Sequence, residues 1–88
     1  MRIVDFEWDE SNIEHIARHG VNPEEVEEAC ANKPFVMRGR QGSYLIYSRT
    51  DDGRYLLVVG RYKGQGVIRV ITARDMTHAE QRLCRERR

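Results

Sequence analysis

The sequence predicts an α+β fold of two layers, with two N-terminal helices packed on one face of a four-stranded antiparallel meander and a helix closing the chain, in the order β-α-α-β-β-β-β-α. Three observations carry this. Two runs in the first third have helical spacing and side-chain caps. The stretch from Phe35 to Ala73 is rich in β-branched and aromatic residues and is cut by turn residues. A last capping pair, Thr77 and Glu80, opens a third helical run. Helices that precede an antiparallel meander pack against one of its faces. The other face then stays open to solvent or a ligand.

Ile3 to Trp8 reads as a short strand or extended lead-in, with Val4, Phe6 and Trp8 alternating against acidic residues. A helix is expected over Asn12 to His19. Ser11 with Glu14 matches a capping box, and Asp9 is a competing cap. Ile13, Ile16 and Ala17 form one apolar stripe, and Gly20 supplies a left-handed stop. In the second helix Asn22 caps, Pro23 fits the first helical position and Glu25 completes the box. Val21 and Val26 fit a hydrophobic staple, and Val26, Ala29 and Cys30 form the buried stripe. Lys33-Pro34 ends this helix.

Strands are expected at Phe35 to Arg40, Tyr44 to Arg49, Arg54 to Tyr62 and Val67 to Ala73. Their turns are Gln41-Gly42, Asp51-Asp52-Gly53 and Lys63-Gly64-Gln65-Gly66. The last helix runs from Thr77 to about Arg87, with Ala79, Leu83 and Cys84 on its apolar side.

The chain reads as one domain, 1–88. A charged fraction of 33% beside a hydrophobic fraction of 40% suits a folded domain rather than a disordered one. No apolar run nears the ~18 residues of a membrane span, and the acidic first ten residues lack the order of a signal peptide. Both point to the cytoplasm. There Cys30 and Cys84, which belong to no metal-ligand pattern, are expected to be buried free thiols.

Net charge is +1, but it is split unevenly. Residues 1–32 carry two cations and nine anions, 2 − 9 = −7, and residues 33–88 carry thirteen cations and five anions, 13 − 5 = +8. Either the halves neutralise one another across helix–sheet contacts, or they form two opposed patches. A basic patch attracts phosphate backbones or an acidic protein.

Several segments resemble a known family. Phe6-Glu7-Trp8-Asp9-Glu10 resembles the opening FxWDE of BrnT toxins, and Arg18-His19-Gly20-Val21 resembles their KHGV. Glu24-Glu25-Val26 fits their second helix. Asp52-Gly53-Arg54-Tyr55-Leu56-Leu57-Val58-Val59 resembles their DGRxLxVV hairpin, Ile68 to Arg74 their IRIISAR, and Glu80-Gln81-Arg82 their terminal ExR. The resemblance runs through nearly the whole chain, in order. It departs at Arg18, where Lys is usual, at Thr72, where Ser is common, and at Asp75-Met76, where a basic continuation is more frequent. It implies a RelE-like ribonuclease toxin of a type II toxin–antitoxin system that arrests translation. It further implies inhibition by a ribbon-helix-helix antitoxin, BrnA, and contact with DNA only through that antitoxin.

RNA is cut without metal when its own 2′-hydroxyl attacks the phosphorus. That chemistry needs a base, an acid and cations on the phosphate. The sequence has no clustered carboxylates or His/Cys spacing for a metal, so no cofactor or metal is expected. His15 and His19 stand four apart, as metal ligands can, but lack a third partner. Arg69 in an apolar strand, Arg74 at its end and Arg49 at the end of the second strand are expected to converge on the open face and hold phosphate. The alternative for Arg69 and Arg74 is ion pairing with the acidic helices. His19 or Glu80 would move protons, although helix capping also accounts for both. Arg61, Tyr62, Lys63 and Arg82 are assigned to RNA binding. Tyr44, Tyr47 and Tyr55 could stack bases or simply pack. Arg85, Arg87 and Arg88 extend the basic helix end. An acidic antitoxin helix or strand is expected over the open face. The competing readings are a non-catalytic binding module and a metal-dependent hydrolase.

Overall fold

Asp9, not Ser11, caps the first helix. Its carboxylate accepts from the Asn12 N–H at 3.1 Å, and the Asn12 side chain returns the bond to the Asp9 N–H at 2.8 Å. The helix therefore starts earlier than expected, at Glu10, and α1 spans Glu10–Ala17. The Ser11–Glu14 box does not form, and Glu14 instead faces Arg18 at 3.5 Å. Gly20 takes the left-handed φ of +71° that ends the turn. The second helix, α2 (Pro23–Ala31), has the expected Asn22–Glu25 box and Pro23 in its first turn.

This computed structural model describes residues 1–87, so Arg88 lies outside the described residues. The strands are β1 (Asp5–Glu7), β2 (Phe35–Arg38), β3 (Ser43–Arg49), β4 (Tyr55–Gly64) and β5 (Val67–Asp75), followed by helix α3 (His78–Arg87). They form one five-stranded sheet in the order β1-β5-β4-β3-β2. The meander β2 to β5 is antiparallel, as expected. The lead-in is a fifth strand, however, paired parallel to β5 with Phe6 opposite Ile68 and Glu7 opposite Arg69. A pure four-stranded antiparallel meander and the RelE-like arrangement are thus not matched exactly. The physical cause is Asn12. It is buried, and its amide donates to Glu7 O at 2.9 Å and to Val70 O at 3.0 Å, tying the end of β1 to β5.

The sheet buries apolar side chains on both faces. On one face Ile46, Leu56, Val58, Ile68, Val70 and Ala73 meet Ile16 of α1 and Val26, Ala29 and Cys30 of α2. Filling that layer with aliphatic side chains stabilises the fold by about 1.5–3 kcal/mol for each one fully buried. On the other face Tyr47 and Leu57 meet Met76 and Cys84, with Phe35, Leu45, Tyr55, Val59 and Leu83 around them. The C-terminal helix therefore lies across the sheet from the other two and covers part of the face expected to be open. Leu83 and Cys84 require this, because an apolar stripe must find an apolar partner.

One irregularity sets the rest. Val59 pairs with Thr72 but Gly60 pairs with Val70, so Ile71 is an extra residue without a partner on β4. Such a bulge interrupts the alternation of side chains. It lets Val70 and Ala73, three residues apart, both reach the helix-side core at 0% exposure.

Candidate nucleic-acid interface

Along β4 the side chains of Tyr55, Leu57, Val59 and Arg61 share the face on which α3 lies, because strand side chains alternate. Directly opposite them stand Arg49 (to Tyr55), Arg74 (to Leu57) and Arg69 (to Arg61). Cross-strand partners point to the same side. Four arginines from three strands thus occupy one face, as expected for three of them. They do not converge. From Tyr55 to Arg61 is six residues, about 20 Å of strand, so the guanidinium groups form a line rather than a cluster.

Each arginine in the line is held differently. Arg74 makes a two-pronged ion pair with Glu80, Nη1 to Oε1 at 2.8 Å and Nη2 to Oε2 at 2.9 Å, and also donates to Asp75 O. Glu80 caps α3 as well, accepting from the Thr77 N–H at 2.8 Å. The Arg74 guanidinium, more than any other neighbour, holds the Glu80 carboxyl below the usual carboxylate range. Tyr47 lies against this pair. Burial pushes its phenol up, and the Glu80 charge adds to the rise.

Arg69 donates to Asp9 at 2.9 Å and to Glu7 at 3.2 Å. It holds the Asp9 carboxyl down. Arg61 is exposed and donates to Gln41 O. Arg49 has no carboxylate partner among the described residues and lies over the Tyr55 ring, 4.7 Å from its centre. Arg85 of α3 approaches the same ring at 5.9 Å.

The remaining assigned residues scatter. His19 is exposed on the helical side of the molecule, 5.8 Å ring to ring from His15, and is not beside Arg74 or Glu80. The histidine nearest this strand is His15, whose Nε2 lies 3.1 Å from Thr72 Oγ1. It lines a groove of about 450 Å³ with Ser11, Asn12, Arg18, Arg69 and Ile71. Tyr62 points away from Arg61, opposite Ile68, and accepts from the Gly66 N–H. Lys63 is exposed where β4 nears its turn. Arg82 is exposed, roughly 200° around the helix from the buried Cys84. For Tyr62 the cause is plain: neighbours in sequence on a strand face opposite ways, so the run Arg61-Tyr62-Lys63 cannot act as one patch. Tyr47, which could stack bases or pack, and Arg85 of the basic helix end do meet the arginine line. The signal for Tyr47 was its alternation with Arg49 on β3.

The acidic third of the chain is largely committed. Glu25 and Asp75 hold Arg54 at 2.9 and 2.7 Å, Glu27 accepts from Trp8 Nε1, and Glu28 accepts from the Asp51 N–H. Trp8 is thereby tied to α2. Neutralisation and patch formation both occur, split arginine by arginine. Among the described residues no three His, Cys, Asp or Glu side chains gather as a metal would need, and no helix is long and apolar enough to cross a membrane.

The sheet of this small α+β domain thus presents a row of four arginines on one face, two of which, Arg69 and Arg74, are held by carboxylates. A family model described as the ribonuclease toxin BrnT of type II toxin–antitoxin systems matches residues 8–80. The chain belongs to that family, and as a type II toxin it has an antitoxin as partner. No curated protein matched it in a search.

Proposed function

We propose that this chain is an endoribonuclease toxin that cuts RNA without a metal and so arrests translation in the cytoplasm. The observation that supports it best is the Arg74–Glu80 pair on the arginine-lined face. Glu80 is kept ionised, as a base must be. Two oxygens offer about four lone pairs. Arg74 uses two and the Thr77 N–H a third, which leaves one on Oε2 for the proton of a ribose 2′-hydroxyl. The freed 2′-oxygen attacks the neighbouring phosphorus, the bond to the 5′-oxygen breaks with a proton from solvent, and a 2′,3′-cyclic phosphate remains. Arg74, already oriented by Glu80, faces the charge that builds on the phosphate oxygens. Arg49, Arg61 and Arg69 would grip the flanking chain.

The test is cleavage of total RNA by purified protein in the presence of chelator. Glu80→Gln should slow it by about 10²–10⁴-fold, the usual contribution of a positioned base. Full activity in that variant removes Glu80 from the mechanism.

A ribbon-helix-helix antitoxin of the BrnA kind would lay an acidic element on the same arginines, and DNA would be reached only through it. A second reading, a non-catalytic binding module, is favoured by the neutralised state of Arg69 and Arg74. RNA left intact at high protein concentration would decide for it.

A further inference from the structure

We propose that Arg49 and Arg85, gathered on the Tyr55 ring, form a separate subsite for one backbone phosphate of single-stranded RNA, beyond the phosphate at Arg74. The proposal rests on the nuclease reading only for the identity of its ligand. Arg54, Arg69 and Arg74 each have a carboxylate within 3.2 Å. Arg49 has none, although Asp51 and Asp52 follow it closely in the chain. The Asp51 carboxylate instead accepts from the Asn32 amide at 2.9 Å. Arg49 Nε is buried and has no hydrogen-bond partner. A guanidinium held by an aromatic face while its donors go unused is a binding group awaiting an acceptor.

The surroundings agree. Arg49 opens on a polar cavity of about 350 Å³ lined by Asn32, Thr50, Asp51 and Gly53. Gly53 lies close by, with a φ of +90°, and a Cβ there would sit 3.0 Å from Arg49 Nη2. The glycine thus serves both the turn and the arginine's position. Arg85 is exposed and is brought to the ring by α3, so two cations from different elements lie within 5.9 Å of the centre of one aromatic ring. Their fork geometry suits a phosphate. On β4 the ring stands two residues from Leu57, the partner of Arg74, about 7 Å along the strand.

A fluorescent 2′-O-methyl RNA hexamer is the probe, because its blocked 2′-oxygen prevents cleavage. Its affinity is followed by anisotropy against salt concentration. Arg49→Gln should weaken binding about tenfold and Arg85→Gln about threefold, each lowering the slope of log K against log salt by about 0.7. Arg49→Lys should fall between wild type and Arg49→Gln. Arg85 is exposed on a helix, so its variant keeps the test valid if Arg49→Gln does not fold. Unchanged affinity and slope in a folded Arg49→Gln or in Arg85→Gln overturn the subsite. Unchanged RNA affinity with weaker binding of a labelled poly-glutamate peptide overturns it in favour of a protein partner. Wild-type protein that binds the hexamer through Arg49 yet leaves unmodified RNA whole would sustain the subsite and end the nuclease reading instead.

Discussion

Arg69 and Arg74 stand five residues apart on one strand yet point to the same side of the sheet. An odd spacing should set them on opposite faces. The unpaired Ile71 between them restores the match, since Arg69 lies opposite Arg61 and Arg74 opposite Leu57, both on the α3 side.

Neither replacing nor deleting Ile71 should therefore disturb the sheet. Ile71→Ser removes a half-exposed side chain, 39% accessible, and should cost no more than about 0.5 kcal/mol. Removing the residue would join Val70 to Thr72 in regular pairing with Gly60 and Val59, and keep Ala73 in the core and Arg74 beside Glu80. Denaturant unfolding followed by circular dichroism should show a cooperative transition for both variants, and its loss in the deletion would contradict the bulge assignment.

The Arg74–Glu80 pair should make stability fall in acid. The carboxyl is held below its ordinary value of 4.5 by Arg74. Its contribution is therefore complete above 4.5 and is lost as pH drops through the lower folded value. Being partly exposed, the pair contributes about 0.5–1 kcal/mol at pH 7. Urea midpoints at pH 7 and pH 3 should differ less in Glu80→Gln than in wild type, and an equal difference would contradict the linkage.

The bonds of Arg69 to Asp9 and Glu7 join β5 to the segment carrying β1 and the cap of α1. Arg69→Ala should lower the melting temperature and raise the Asp9 carboxyl pKa in an NMR titration. Loss of RNA cleavage in that variant must accordingly be compared with Arg69→Lys at matched folded fraction.

Asn12 is the polar residue on which the sheet edge depends. It satisfies the Asp9 N–H and two carbonyls while almost wholly buried. Asn12→Ala leaves those groups without partners and should cost about 2–3 kcal/mol. Amide exchange should speed up in β1 and the start of α1 before the β3–β4 hairpin.

Burial pushes the Cys30 thiol up to about 12, with Glu27 adding to the rise. At pH 8 its thiolate fraction is on the order of 10⁻⁴. A thiol reagent at pH 8 should modify neither Cys30 nor the fully buried Cys84 until denaturant is added. Rapid labelling of the native protein would contradict that burial.

The helices, the hairpin turns and the four antiparallel strands were legible in the sequence because their signals are local. Asn22, Pro23 and Glu25 cap α2 through bonds that span three residues, and β-branched runs end at turn residues wherever the chain goes next. The arginines, too, could be named as residues that an apolar strand does not carry without reason.

Which way each one faces, and what it touches, was decided only by the tertiary structure. Asn12 reaches Val70, 58 residues away, and so turns a lead-in into a strand. A single bulge puts Arg74 on the same face as Arg69, and the apolar side of α3 finds the sheet face that composition left free. Period-2 alternation makes direction depend on register, and register is set by pairing between distant strands, which no local window contains.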